Sequence, residues 1–305
     1  MQIIPSGQGL GATIEGLDLA NGIASGEVDA VLHALGQYGV IRFPRQQLSG
    51  RQLRDFSARF GQLEVHVSNV YQEPGIPEVM ILSNMVENGK PIGLADAGQD
   101  WHTDMSYSRM IAFANVLYAI KVPRRNGVAL GATEFCNMHA AYDDLPADLK
   151  ARLAGLTALH DFNKFWEMMR RRPGSTRAPL SAAQRQARPP VSHPIVLTHP
   201  ITGRKVLYAN PGYAVRINAL APDESDRLLE FLFAHQLRDK YRYVHRWQEG
   251  DVLMWENFGT IHNAIADYRP DEHRLVKRCQ VMATRFFDDA GVPISARTEA
   301  KGARA

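Results

Sequence analysis

The sequence has little cysteine and no long apolar run, and these absences exclude several classes of protein. Its 305 residues include only two cysteines, Cys136 and Cys279, and neither lies in a CxxC or CxxH motif. The sequence therefore indicates neither a disulfide framework nor a thiolate zinc site. No apolar run reaches the roughly 18 residues that a membrane-spanning helix needs, and the first residues do not show the pattern of a secretory signal. We expect a cytoplasmic protein that has no membrane partner.

The sequence also has no large excess of charge of either sign. The 35 Lys and Arg residues nearly balance the 32 Asp and Glu residues, which leaves a formal net charge of +3. Nucleic-acid-binding proteins are usually far more basic, so we expect no nucleic-acid partner. One segment departs from this balance, because residues 164–188 hold seven basic residues and the single acid Glu167. It is interpreted either as a solvated surface or as a cover that attracts an anionic substrate.

The remaining composition is that of a globular protein, with 45% hydrophobic and 22% charged residues, and it is interpreted as a single domain over residues 1–305. Short β-branched or aromatic segments predict strands at 40–43, 79–82, 113–120, 195–198, 206–208, 252–255 and 280–285. Apolar residues at helical spacing predict helices at 27–38, 49–60, 146–156 and 223–235. Because the helices interrupt the strands and do not alternate with them, we predict a mostly β fold with appended helices and two packed sheets. Residues 170–190 are rich in Arg, Pro and Ser, and they predict a loop within a lid insertion at about 160–190.

The first motif with chemical content is His102-Thr103-Asp104. In an extended chain residues i and i+2 project to the same side, so the imidazole and the carboxylate can converge on one metal ion. The motif is weak by itself, because this composition supplies roughly 0.65 His-x-Asp tripeptides by chance, and such a pair is more often a simple hydrogen-bonded pair. A second histidine would complete the two-histidine, one-carboxylate set of the non-haem Fe(II) oxygenases.

Two later motifs supply what the first one lacks. The run Gly250 to His262 contains WENFGTIH, in which a turn and a buried strand deliver His262 at a position 158 residues after Asp104. Just downstream, Arg274 and Arg278 lead into the predicted strand 280–285. A guanidinium that faces inward is costly unless a carboxylate meets it. Arg278 is also compatible with a simple bridge between surface acids.

Together the HxD, WENxxxxH and RxxxR motifs resemble those of the taurine dioxygenase and 2,4-dichlorophenoxyacetate dioxygenase (TauD/TfdA) family of Fe(II)- and 2-oxoglutarate-dependent dioxygenases. The resemblance extends from about Gly11 to about Phe287, and the stretches 131–142 and 243–247 are most similar to the 2,4-dichlorophenoxyacetate branch. It implies a double-stranded β-helix (jelly-roll) core, Fe(II) as cofactor, 2-oxoglutarate and O2 as cosubstrates, and a homo-oligomer. It also implies hydroxylation of a small anionic substrate, similar to an aryloxyacetate or a sulfonate, with release of succinate and CO2.

The resemblance also assigns roles to individual residues. His102, Asp104 and His262 would be the iron ligands and so the catalytic set. Arg274 would pair with the distal carboxylate of 2-oxoglutarate, with help from the Thr133 hydroxyl, and Arg278 would lie nearer the iron, beside the chelating carboxylate or an anionic group of the substrate. The planar fork of arginine suits a carboxylate better than lysine does. His66 resembles a histidine that contacts the substrate, although a loop histidine with no such role is an equal alternative.

Two other functions remain open on the same fold. A cupin-type metal enzyme that does not use 2-oxoglutarate would leave Arg274 without a carboxylate to bind. A non-catalytic binding protein would keep the fold without turnover. The sequence favours the dioxygenase, because that function alone gives the metal motif and the arginine pair one common purpose.

Overall fold

The computed structural model describes residues 1–65, 69–172, 175, 177–288 and 293–294. The helices of this part of the chain are α1 (Ser25–Tyr38), α2 (Gly50–Ala58), α3 (Met138–Asp143), α4 (Ala147–Leu153), α5 (Phe162–Arg170), α6 (Ala182–Gln186) and α7 (Pro222–Gln236). Short 3-10 turns lie at Leu19–Asn21, Asn69–Tyr71, Asp239–Tyr241 and Ala283–Arg285. Among these residues no helix is both long enough and apolar enough to cross a bilayer.

The strands outnumber the helices, as predicted. They are β1 (Gln2–Pro5), β2 (Ala12–Glu15), β3 (Val40–Phe43), β4 (Gln72–Glu73), β5 (Ile76–Ser83), β6 (Val86–Glu87), β7 (Lys90–Pro91), β8 (Ala112–Lys121), β9 (Arg124–Arg125), β10 (Val128–Ala129), β11 (Thr133–Asn137), β12 (Thr157–His160), β13 (Val191–Pro194), β14 (Val196–Thr198), β15 (Lys205–Leu207), β16 (Ala214–Ile217), β17 (Arg242–His245), β18 (Val252–Glu256), β19 (Thr260–Ala264) and β20 (Leu275–Met282). The prediction of a mostly β fold with appended helices is confirmed.

The largest sheet has eight strands in the order β1-β2-β3-β18-β8-β20-β5-β4, and only β2 and β3 pair in parallel. Its central strand β8 is buried from Ala112 to Ala119, because successive side chains enter two different cores. Val116 packs in the core beneath α1 and α2, whereas Leu117 packs on the opposite face. The sheet is therefore covered on both faces.

The face that carries Leu117 meets a smaller antiparallel sheet in the order β17-β11-β19. Phe135 of β11 lies edge-on to Trp255 of β18, with ring centroids 5.3 Å apart, and both belong to the same buried cluster as Val276 of β20. Two sheets thus enclose one apolar layer, and the metal motifs lie at its end. A further core packs α3 and α7 against β15 and β16.

Two local predictions are wrong. The strand predicted at 280–285 instead runs from Leu275 to Met282, and Ala283–Arg285 is a 3-10 turn. The error has a physical cause, because Lys277 and Arg278 interrupt the apolar pattern although β20 pairs with both β5 and β8. Lys277 compensates its charge by an ion pair of 2.6 Å with Glu73.

The loop predicted at 170–190 is also interrupted. It contains α6, whose first turn is capped when the Ser181 hydroxyl accepts a hydrogen bond from the Gln184 backbone N–H. The longer α5 precedes it, and the Asp161 carboxylate accepts from the Asn163 backbone N–H at its N-terminus. Phe165 of α5 packs on His102 with ring centroids 4.8 Å apart, so α5 lies beside the metal motifs.

Candidate metal centre and substrate cavity

The structure brings together the three predicted ligands, although they lie far apart in sequence. His102 and His262 form an isolated antiparallel bridge, in which each backbone N–H donates to the other's carbonyl at 3.0 and 2.8 Å. This bridge places the two imidazole rings 4.3 Å apart between centroids. Asp104 follows His102 by two residues and turns its carboxylate to the same side. Backbone pairing, and not side-chain contact alone, fixes the two histidines.

The turn before His262 is held by a buried acid. The Glu256 carboxylate accepts hydrogen bonds from the backbone N–H groups of Phe258 and Gly259 at 2.7 to 3.0 Å. The Thr260 hydroxyl donates to the Glu256 carbonyl at 2.5 Å. These bonds fix the connection between β18 and β19, and therefore the point at which His262 enters the site.

The donor atoms converge as a divalent metal requires. His102 Nε2 lies 3.4 Å from Asp104 Oδ1, and His262 Nε2 lies 3.9 Å from Asp104 Oδ2. One donor atom from each residue lies within 4.8 Å of the others. Metal–ligand bonds of about 2.0–2.2 Å fit inside such a triangle after small side-chain adjustments. Two imidazoles and one carboxylate on one face are the set typical of non-haem Fe(II) oxygenases, so these residues fit that ion.

The protonation states also suit metal binding. The Nδ1 atom of His102 lies 2.7 Å from the Asp100 carbonyl, so Nδ1 carries the proton and Nε2 presents its lone pair. Burial lowers the pKa of His262 to about 3, which keeps that ring neutral. Burial alone would raise the pKa of Asp104, but the favourable interactions with His102, His262 and the Arg278 guanidinium outweigh it and hold the pKa well below its ordinary value. The site thus offers an anionic carboxylate and a neutral His262 ring to a metal ion.

Asparagine and glutamine side chains orient Asp104, and the sequence analysis did not find them. Asn115 Nδ2 donates to Asp104 Oδ2 at 2.9 Å, and Gln280 Nε2 donates to Asn115 Oδ1 at 3.0 Å. From the other side, the Thr103 hydroxyl donates to the Asn257 carbonyl at 2.7 Å. The signal in the sequence was Asn115 itself, an amide in the middle of an apolar strand, because buried polar groups must find partners.

The two predicted arginines lie just before one strand and within it. Arg274 immediately precedes β20 and Arg278 lies within it, so four residues and about 13 Å of extended chain separate them on one face. Arg278 is half-buried, and its Nη1 lies 3.9 Å from Asp104 Oδ2. This contact with a predicted ligand disfavours the alternative of a bridge between surface acids.

Among the described residues, Arg274 has no counter-ion. Only 7% of its surface is exposed, and its backbone is fixed by Ser83 and Asn84 through bonds of 2.7 and 2.8 Å. Burial lowers the pKa of Arg274, and the side chain that offsets this effect is the phenol of Tyr268. No carboxylate of the described residues pairs with its guanidinium. A buried cation in this state is costly, so the position favours an anionic ligand.

Thr133 and His66 complete the set of predicted residues. Thr133 begins β11 and is buried, and its hydroxyl accepts a hydrogen bond of 3.1 Å from Trp247 Nε1, which leaves the hydroxyl proton available for donation. Trp247 packs in the same apolar cluster as Val276, two residues after Arg274. His66 lies outside the described residues.

A cavity of about 580 Å³ opens directly onto His102 and Asp104. Its wall is rich in aromatic side chains, which were not predicted: Tyr71, Tyr107, Phe162, Phe165, Trp166 and Tyr213. The ring of Phe165, from α5, packs on His102 with centroids 4.8 Å apart. Arg278 also lines the cavity. The site can therefore hold an organic molecule with an apolar body next to the metal ligands.

A second group of donor atoms, from His139, His199 and Glu256, lies behind the turn described above. Backbone N–H groups of Ile201 and Thr202 both donate to His199 Nδ1 at 3.2 Å, so the ring proton is on Nε2, 3.4 Å from Glu256 Oε2. A nitrogen that carries a proton does not bind a metal. We therefore interpret this group as a buried structural pair.

Comparison with known proteins agrees with the geometry. A 2,4-dichlorophenoxyacetate dioxygenase dependent on α-ketoglutarate, from Cupriavidus pinatubonensis, is 36% identical over 292 residues, which cover 92% of this chain and 96% of that protein. Pentalenolactone F synthase from Streptomyces avermitilis is 31% identical and covers 94% of both chains. The crystal structure of a taurine dioxygenase from Burkholderia xenovorans superposes with a TM-score of 0.74 at 28% identity, covering 92% of this chain and 89% of that one.

The match to a whole family extends over nearly the same residues. The profile of the family described as "Taurine catabolism dioxygenase TauD, TfdA family" matches residues 2–280, which include the three predicted metal ligands and both arginines. The resemblance drawn from the HxD, WENxxxxH and RxxxR motifs is thereby confirmed. This chain belongs to the TauD/TfdA family of dioxygenases.

Proposed function

We propose that the protein is an Fe(II)- and 2-oxoglutarate-dependent dioxygenase that hydroxylates a small anionic organic substrate and releases succinate and CO2. The observation that carries this proposal is the convergence of His102, Asp104 and His262 beside Arg278, with Arg274 buried just before the strand of Arg278 and without a counter-ion among the described residues. The relatives named for α-ketoglutarate and 2,4-dichlorophenoxyacetate support the reaction class and an aryloxyacetate-like substrate, and the taurine dioxygenase supports a sulfonate-like one.

The side chains at one end of the site would bind the metal, and those at the other end would bind carboxylates. His102, Asp104 and His262 would hold ferrous iron, and the bound iron with its cosubstrate supplies the oxidising power for O2 chemistry. Asn115 holds the Asp104 carboxylate in place through its amide N–H. Phe165 covers His102, which keeps water from that side of the site.

At the other end, Arg274 would bind the distal carboxylate of 2-oxoglutarate by its planar fork, assisted by the hydroxyl of Thr133. Arg278 would neutralise the carboxylate that lies nearer the metal or an anionic group of the substrate, as its 3.9 Å distance to Asp104 supports. A contact of His66 with the substrate stays a prediction. The cupin-type alternative and the non-catalytic alternative give Arg274 no anion to bind, and no observation favours them.

The finer features of the fold belong to the same proposal. The β17-β11-β19 sheet facing the eight-stranded sheet supports a double-stranded β-helix core. We also infer one domain over residues 1–305, with residues 160–190 as its lid. A homo-oligomer and a cytoplasmic location stay predictions.

Succinate formation from 2-oxoglutarate tests the proposal. The protein, supplied with Fe(II), O2 and an aryloxyacetate or sulfonate, should release succinate, and His262→Ala or Asp104→Ala should abolish it. Arg274→Gln should raise the 2-oxoglutarate concentration for half-maximal rate about ten- to hundredfold, because a hydrogen bond to a charged group contributes about 1.5–3 kcal/mol.

The matched control is Arg124→Gln, because Arg124 is exposed and donates only to the Gly127 carbonyl among the described residues. Thermal unfolding of each variant separates a local effect from loss of the fold. Succinate release that persists in Asp104→Ala, or an unchanged 2-oxoglutarate requirement in Arg274→Gln, would contradict the proposed function.

A further inference from the structure

The basic segment 164–188 contributes one cation to the cavity that no described acid neutralises. Four of its other basic residues have a polar partner: Lys164 donates to the Ala214 carbonyl, Arg170 pairs with Glu167, Arg172 pairs with Asp100, and Arg177 pairs with Asp96. Two more, Arg171 and Arg185, face solvent. The remaining residue is Arg188, which follows α6. Of the seven basic residues in this segment, Arg188 alone lines the cavity without a described acidic partner.

Arg188 lies over an aromatic ring. Its guanidinium carbon is 4.6 Å from the centroid of the Phe162 ring, so the cation is next to an aromatic face. The side chain is half-buried. Among the described residues, none has a carboxylate within salt-bridge distance of this guanidinium or accepts a hydrogen bond from it. The N–H edges of the fork are thus available to a ligand that lies in the plane of the guanidinium.

Arg188 also lies where two cavities meet. The cavity of about 580 Å³ at the metal ligands and a neighbouring cavity of about 310 Å³ share four lining residues, Glu64, Tyr107, Ala187 and Arg188. A molecule that reaches from His102 towards Arg188 would pass the aromatic walls formed by Tyr107 and Phe162. The distribution of groups is therefore apolar along the path and cationic at its end.

Other charged groups also line the two cavities, and one of them, Arg109, is exposed and lines only the smaller cavity. Arg177 and Asp96 neutralise each other at 2.7 Å, and Arg278 faces Asp104. Glu64 is the only described acid on the wall shared by the two cavities; burial raises its pKa, while the charges of Arg278 and Arg188 oppose that rise. Its carboxylate does not lie within salt-bridge distance of Arg188, so the N–H groups of Arg188 remain available to a ligand.

We propose that Arg188 is the residue that selects an acidic substrate, by binding the carboxylate of a molecule whose aromatic or alicyclic body packs against the wall that the Tyr107 and Phe162 rings form, their centroids being 4.8 Å apart. The inference rests on the proposed function, because it assumes that the cavity at His102 is the substrate site. A planar carboxylate matches the guanidinium fork in two-point contact better than a tetrahedral sulfonate does. An aromatic wall likewise favours a flat body over a short aliphatic chain.

Binding, measured separately from turnover, tests this proposal. The protein is held without O2 and with Fe(II) and saturating 2-oxoglutarate, and ligand binding is followed by quenching of tryptophan fluorescence, since Trp166 lines the cavity. The probes are 2,4-dichlorophenoxyacetate and 2-phenoxypropionate, the alcohols that replace each carboxylate by a hydroxymethyl group, and taurine. At least one acid should bind about tenfold or more tightly than its alcohol.

Arg188→Gln should remove this preference by weakening the acid and leaving the alcohol unchanged, and Arg188→Lys should restore part of it, since the charge returns without the fork. Arg185→Gln, an exposed arginine of the same segment, should behave like the native protein. The proposal is overturned if every acid binds no better than its alcohol, if Arg188→Gln keeps the preference, or if only taurine binds. Failure of the proposed function is recognised separately, by the absence of iron-dependent succinate release in the native protein.

Discussion

Replacement of Asn115 by alanine tests whether the amide network positions the metal ligand. Asn115 is fully buried, donates to Asp104 at 2.9 Å and accepts from Gln280 at 3.0 Å. The substitution removes a charge-assisted hydrogen bond and leaves the Gln280 amide without its acceptor. Each loss costs about 1–3 kcal/mol, so we expect the free energy of unfolding to fall by about 2–6 kcal/mol.

The same substitution should weaken iron binding. Groups that orient a metal ligand typically contribute about ten- to hundredfold to metal affinity. Titration of the metal-free protein with Fe(II) under anaerobic conditions, in the presence of 2-oxoglutarate, measures this affinity directly. Thermal unfolding of the same samples measures the loss of stability.

The matched control is Asn218→Ala. The Asn218 amide donates to the Thr157 and Ser192 hydroxyls at 2.8 and 2.9 Å, away from the metal ligands. It should lower stability without changing iron affinity. Equal iron affinities in Asn115→Ala and Asn218→Ala would refute the assignment of Asn115 as a positioning residue.

Two further predictions concern a glycine and the buried histidines. Gly212→Ala would place a methyl group 2.6 Å from the His102 Cβ, so this substitution should reduce iron affinity. In the control Gly26→Ala nothing lies within 4 Å of the added methyl group, so iron affinity should not change. Equal iron affinities of the two variants in anaerobic titration would refute the prediction for Gly212. Burial lowers the pKa of His160 to about 3 and that of His139 to about 4. Below about pH 6.5 these histidines therefore bind protons in the unfolded chain but not in the folded state. Each of them lowers the free energy of unfolding by up to about 1.4 kcal/mol for every pH unit of acidification. Unfolding midpoints should fall from pH 7 to pH 5, and His160→Leu should reduce this slope; an unchanged slope would contradict the role of burial.

Secondary structure could be predicted wherever one short segment of sequence contained the whole signal. The strand Val40–Phe43 has the predicted bounds, because an apolar run between Gly39 and Pro44 leaves no other choice. The prediction failed at β20, since its charged residues are compensated by partners distant in sequence, such as Glu73 for Lys277. It failed again at α6, whose cap lies within an otherwise aperiodic stretch.

The sequence by itself determined which residue types could bind a metal and a diacid, because HxD, the later histidine and the arginine pair each carry their chemistry in their own side chains. Only the tertiary structure decided that His102 and His262 share a backbone bridge, that Asn115 holds Asp104, and that Arg188 lines the cavity over Phe162 without an acidic partner among the described residues. The physical reason is that a motif fixes the identity of a donor, whereas its direction, burial and partners depend on contacts between strands far apart in the chain.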